Sequence, residues 1–132
     1  MSTRREVLKL LSVVAGVVFA LPGALEAATK LAIPLDKVDK LQKVGGAIYL
    51  KIKGQDILFI RTAEDKISVL SPICTHKHCT VEYNPDEKLI ICPCHGSTYD
   101  LNGKVLKGPA KKDLTNFQGT LSEGRIIFTL ED

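Results

Sequence analysis

Two short segments rich in cysteine and histidine constrain this chain more than anything else in it. They are Cys74-Thr75-His76-Lys77-His78-Cys79 and Cys92-Pro93-Cys94-His95-Gly96-Ser97, and between them they hold all four cysteines and all three histidines. Side chains without a shared task would scatter, so this concentration predicts one site assembled from two loops. The spacing C-x-H-x15-C-x2-H offers two thiolates and two imidazoles, with Cys79 and Cys94 over as a further pair.

Three chemistries use such residues. Zinc takes two Cys and two His tetrahedrally, but would leave two cysteines without a purpose. Four cysteines in an exported domain could also form two disulfides, which would not explain why His follows the first Cys by two and the third by three. A [2Fe–2S] centre with two Cys on one iron and two His on the other accounts for both spacings. The string from Cys92 to Asp100, C-P-C-H-G-S-T-Y-D, and Gly108-Pro109-Ala110 resemble the Rieske iron–sulfur proteins of cytochrome bc and b6f complexes. The resemblance covers most of the chain after about residue 40.

That resemblance implies a role for each residue. Cys74 and Cys92 would bind the inner iron, His76 and His95 the outer one, and Cys79 and Cys94 would form a disulfide tying the loops together. Ser97 and Tyr99 would donate hydrogen bonds to a bridging sulfide and a cysteine sulfur. Such donors stabilise an added electron and raise the reduction potential. Taken alone, the same two residues would read as a turn serine and a half-buried strand aromatic. Departures from the family pattern are Lys77 and His78, where bc-type loops carry Leu and Gly, and Lys111, where a second proline often follows G-P-A. Lys77 places a cation where the family has an apolar cover. His78 is expected to be an exposed loop residue rather than a substitute ligand or a proton-active neighbour.

The N-terminus carries its own signal. Ser2-Thr3-Arg4-Arg5-Glu6-Val7-Leu8-Lys9 looks like a twin-arginine export signal, and an uncharged run of sixteen residues follows from Leu10 to Leu25. This is longer than a typical signal core and shorter than the roughly 20 residues of a full span. Small residues are poorly placed for cleavage after Ala27 or Ala28, which favours retention as a membrane anchor. Arg4, Arg5 and Lys9 would keep the N-terminus cytoplasmic and leave the domain on the periplasmic side. Export and a disulfide agree, because such bonds persist in oxidising compartments. The expected organisation is a signal or anchor over 1–28, a linker and first strand over 29–40 and the cluster domain over 41–132. Glu26 to Ile33 would act as a hinge.

After the anchor the patterns are short and alternate. Ala47–Lys53 and Asp56–Ile60 flank a turn at Gly54-Gln55, a hairpin pattern. Ile67–Leu70 and Lys88–Ile91 each lead into a Cys/His loop, and Thr98–Asp100 runs to a second hairpin signal at Asn102-Gly103. Thr115–Leu121 and Arg125–Leu130 flank a turn at Ser122-Glu123-Gly124. No stretch after the anchor keeps helical periodicity. The expected fold class is all-β, Rieske-type stacked antiparallel sheets with two cluster-binding loops, plus the N-terminal signal/anchor helix.

A formal charge of only +3 makes no electrostatic case for nucleic acid. One-electron transfer is the expected function, as an electron-transfer subunit of a quinol:cytochrome c-type oxidoreductase. The resemblance implies a cytochrome b-type membrane subunit, a c-type cytochrome and quinol as partners, with His95 nearest the quinol hydroxyl. An alternative is an electron-relay subunit of an exported molybdenum enzyme such as arsenite oxidase. A structural zinc or disulfide domain is a third reading, of a different class. A Rieske oxygenase is not expected, because the sequence shows no catalytic domain with a mononuclear-iron site and no room for one.

Overall fold

A computed structural model describes residues 28–131; the expected twin-arginine signal and anchor lie outside them. Among the described residues no helix is long and apolar enough to cross a membrane. Among the described residues ten strands form three antiparallel sheets. In the first, β1 (Ala28–Pro34) pairs with β10 (Arg125–Glu131), which also pairs with β9 (Thr120–Ser122). The second contains β2 (Ala47–Ile52), β3 (Gln55–Ala63) and β4 (Lys66–Leu70) in that order. The third contains β5 (Glu82–Asn84), β6 (Leu89–Ile91), β7 (Thr98–Tyr99) and β8 (Val105–Lys107). The only helical turns among the described residues are two 3-10 turns, Leu35–Lys37 and Asp39–Leu41.

The central strand explains how the parts are joined. Successive side chains of a strand point to opposite faces, and the run Ile57-Leu58-Phe59-Ile60 is wholly buried. Ile57 and Phe59 enter one core with Ile67, Val69, Phe117, Ile126, Phe128 and Leu130. Leu58 and Ile60 enter a second core with Leu70, Cys74, Val81, Ile90, Cys92 and Tyr99. A continuous apolar run is therefore a wall shared by two cores rather than the half-exposed hairpin that simple alternation suggests. Phe59 and Phe128 meet edge to face at 5.3 Å across the first core, a favoured aromatic geometry. The buried Arg61 at the end of β3 donates to the carbonyls of Leu41 (2.8 Å), Gln42 (3.3 Å), Ala63 (3.2 Å) and Glu64 (2.7 Å). One side chain thus fastens the second 3-10 turn to the β3–β4 end, its charge met by carbonyl dipoles.

Two expectations need correction. A hinge over Glu26–Ile33 fails from Ala28 onward: Ala28–Pro34 pairs residue for residue with β10, from Ala28 opposite Glu131 to Pro34 opposite Arg125, and Leu31 enters the first core. Glu26 and Ala27 lie outside the described residues. A strand over Thr115–Leu121 shrinks to β9, because Gln118 adopts a left-handed φ of 58° and breaks extended pairing. Gly119 then presses on Val69, where a Cβ would lie 2.2 Å from Val69 Cγ2. The irregular segment still bonds on both sides: Ser71 N–H donates to Thr115 O (2.9 Å), Phe117 N–H to Val69 O (2.8 Å), and Thr129 N–H to Phe117 O (3.1 Å).

Candidate metal centre

β4 and β6 end where the two Cys/His segments begin, so adjoining sheets deliver both loops to one end of the second core. The loops share a backbone plan. Cys74 N–H donates to Cys79 O (2.7 Å) and His78 N–H to Cys74 O (2.9 Å). Likewise Cys92 N–H donates to Ser97 O (2.8 Å) and Gly96 N–H to Cys92 O (2.8 Å). Each loop needs a left-handed residue at its fifth position, supplied by Gly96 at φ 81° and by His78 at φ 62°. Glycine takes that conformation without a Cβ penalty, and histidine is among the other residues that visit it. His78 is exposed and serves as a loop-closing residue.

A disulfide joins Cys79 to Cys94 across the loops, while Cys74 and Cys92 are free and buried. A pair of disulfides is thereby excluded. The His76 and His95 rings lie 5.1 Å apart at 87°. His76 Nδ1 is buried with no hydrogen-bond partner, an arrangement that costs free energy unless something else occupies the lone pair. Two buried thiols, two adjacent imidazoles and one orphaned ring nitrogen make a donor set suited to a cluster with mixed sulfur and nitrogen ligation.

The surroundings tune these donors. Burial alone would push the Cys74 thiol up. Hydrogen bonds from the Tyr99 hydroxyl, the backbone at His76 and Lys77, and the Cys92 thiol outweigh it and hold Cys74 at about 7. Cys92 is pushed up, by burial first and then by Cys74 beside it. His76 is held below its ordinary value by burial, then by His95 and Lys77. Thiolate is the form that binds metal, so the site favours it at Cys74 before any metal arrives.

Tyr99 and Ser97 are fully buried next to these groups. Tyr99 Oη lies 3.4 Å from Cys74 Sγ and 3.3 Å from Thr75 Oγ1. Thr75 Oγ1 donates its own proton to Lys112 O at 2.7 Å, and Thr75 N–H donates to Tyr99 Oη at 3.4 Å. The phenolic proton therefore has two acceptors. At these distances sulfur is the better one, since 3.3 Å is long for O–H···O. Ser97 Oγ accepts from Ala110 N–H at 2.9 Å, which leaves its own proton free to donate. Thr75 is the residue sequence reasoning passed over: it ties the first loop to the 106–113 segment. Nothing in a lone threonine signals that, because its partner is a backbone carbonyl 37 positions away.

The comparisons with known proteins agree with this site. The chain is 42% identical over 81 residues to the cytochrome b6-f complex iron-sulfur subunit of Synechococcus elongatus, covering 59% of this chain and 45% of that protein. It is 33% identical over 79 residues to the chloroplastic subunit of the same name in Oryza sativa subsp. japonica, covering 58% and 35%. The chain thus spans less than half the length of these relatives. Among solved structures it is similar to the cyanobacterial plasma membrane Rieske protein PetC3 from Synechocystis PCC 6803, with TM-score 0.60, 29% identity and coverage of 70% and 93%. A chain of a hyperthermophilic respiratory complex III shares the fold at TM-score 0.55 and 22% identity, covering 94% and 95%. The profile of the Rieske [2Fe-2S] domain matches residues 32–118, so the chain belongs to the Rieske [2Fe–2S] domain family and its cofactor is a [2Fe–2S] cluster.

Proposed function

We propose that this protein transfers single electrons as the iron–sulfur subunit of a quinol-oxidising, cytochrome c-type membrane complex. Cys74 and Cys92 hold one iron and His76 and His95 the other, and the bound cluster supplies a one-electron acceptor. The observation that carries the reading is the asymmetry of burial: both free cysteines are 1% exposed while His95 stands in solvent. The thiol side faces the protein core and the imidazole side faces a partner.

Several features support the finer assignment. The relatives named above are subunits of the cytochrome b6-f complex. Tyr99 Oη lies 3.4 Å from Cys74 Sγ and the buried Ser97 keeps its own hydroxyl proton unspent, and donors to the sulfurs favour the reduced state and a high potential. His95 is the exposed base, so its imidazole accepts the quinol hydroxyl proton as the electron leaves the quinol. The cytochrome b-type and c-type partners, the organisation into 1–28, 29–40 and 41–132, and anchoring of the N-terminal segment after twin-arginine export belong to the same proposal.

Redox potentiometry across pH tests this coupling. The potential should fall as pH rises through the histidine titrations of the oxidised protein. A potential flat from neutral to strongly alkaline pH would remove the proton-coupled role of His95. Iron and acid-labile sulfide analysis separates the proposal from a zinc site, and haem b co-purifying in mild detergent separates it from a molybdenum relay.

A further inference from the structure

The loops around the two histidines carry four lysines, and acids flank them at Glu82, Asp100 and Asp113. From Cys74 to Val81, from Cys92 to Tyr99 and from Leu106 to Lys112 there is no Asp or Glu, but there are four lysines: Lys77, Lys107, Lys111 and Lys112. All four are exposed, and none has a salt bridge among the described residues. Asp113, which closes the third segment, accepts from Val105 N–H at 2.9 Å with one carboxylate oxygen.

Tertiary bonds, not sequence proximity, bring these lysines together. Thr75 Oγ1 donates to Lys112 O, two residues from Lys77. Ala110 N–H donates to Ser97 Oγ, which sets Lys111 against the second loop. Lys107 faces Thr98 across the β7–β8 pair. Leu106, 56% exposed, adds an apolar spot beside them. By contrast Glu64 and Asp65 sit in the turn at the other end of β4.

We propose that these four lysines form an electropositive docking face for a redox partner protein whose own electron-accepting edge is rimmed by carboxylates. The proposal rests on the electron-transfer reading above and adds the chemistry of the partner. Its geometric basis is that the Thr75–Lys112 and Ala110–Ser97 bonds hold the segment of Lys111 and Lys112 against the two loops that carry Lys77 and the exposed His95. Like-charge repulsion rejects a basic partner, while complementary potentials raise encounter rates by roughly 10- to 1000-fold at low salt. A cation patch serving only an anionic membrane would have no need to be bonded to the cluster loops.

The test uses the full chain in mild detergent, reduced with dithionite and freed of excess. It is mixed with ferric cytochrome c in its native basic form and in a lysine-succinylated acidic form. Electron transfer is followed by stopped flow, and binding to the same two probes is measured by surface plasmon resonance. The acidic probe should react at least ~10-fold faster at low salt. That advantage should collapse between ionic strengths of about 0.01 M and 0.15 M, where the Debye length shrinks from about 30 Å to about 8 Å. The double variant Lys111→Glu/Lys112→Glu should reverse the preference in both rate and binding, while Lys66→Glu at the far end of β4 should leave it standing.

Equal binding and rates for the two probes would overturn the docking face with the electron-transfer reading intact. No electron transfer to either probe, with selective binding of the acidic one retained, would overturn the electron-transfer reading and keep the face. Tight binding to phosphatidylglycerol vesicles without discrimination between the cytochromes would reassign the lysines to a membrane surface and overturn the proposal.

Discussion

The two cores on either side of the β3–β4 wall are held by different forces. On the first side, β1 and β10 pair over seven residues and enclose aliphatic and aromatic side chains. On the second, β5 to β8 are two or three residues long, too short to be stable by strand pairing alone. Beyond its own apolar core, that half relies on the Cys79–Cys94 bond, the Thr75–Lys112 and Ala110–Ser97 hydrogen bonds, and the ligands of the cluster. Metal binding then becomes folding free energy for that half. The first half supplies a platform stable by hydrophobic burial, and the second trades regular structure for four ligands arranged in two loops.

The sharpest way to break this contrast is Cys92→Ser. Iron and labile sulfide should be lost completely, while far-UV circular dichroism keeps most of the sheet signal from the first half. A chain that unfolds throughout on losing its iron would show that the halves are not energetically separable. Next in size is Phe128→Ala, which opens a cavity opposite Phe59 and should cost about 3–5 kcal/mol in denaturant unfolding. The electron paramagnetic resonance spectrum of the still-folded fraction should not change, since the wall isolates the two cores. Removing the disulfide with Cys79→Ala/Cys94→Ala closes no loop in the unfolded chain. With a separation of 15 residues the loss should be about 3 kcal/mol, concentrated in protection of the loop amides from hydrogen exchange.

Smaller effects test the polar bracing. Tyr99→Phe removes a donor to Cys74 Sγ while the ring remains to fill the core. One hydrogen bond to a charged acceptor is worth about 1.5–3 kcal/mol, so the potential should drop by about 65–130 mV for one electron with iron content unchanged. An unaltered potential would mean that the Tyr99 proton goes to Thr75 instead. His78→Gly should have the least effect and the opposite sign. Relief of a left-handed non-glycine residue is offset by greater freedom of the unfolded chain, leaving a gain under about 1 kcal/mol. A loss on thermal melting would show that the exposed imidazole makes contacts beyond closing its loop.

The site was legible in the sequence to unequal depths. The Cys/His segments announced a two-loop centre because ligand chemistry depends on residue type and short spacing, and the hairpin at Asn102-Gly103 follows from a glycine that takes φ 87°. The Thr75 brace and the lysine face were illegible because their partners are backbone groups or segments far along the chain. The same holds for the Thr115–Leu121 segment, where residue types favoured a strand and packing against Val69 favoured an irregular path.

Residue identity and spacing by themselves determined the cofactor class, the all-β character and the two loops, since metal affinity and strand alternation act between near neighbours in the chain. Only the tertiary structure decided that Ile57–Ile60 faces two cores, that Ala28–Pro34 is strand rather than hinge, and that the segment of Lys111 and Lys112 is bonded to both cluster loops. Those outcomes depend on which distant surfaces meet, and burial is a property of the assembled fold rather than of any segment.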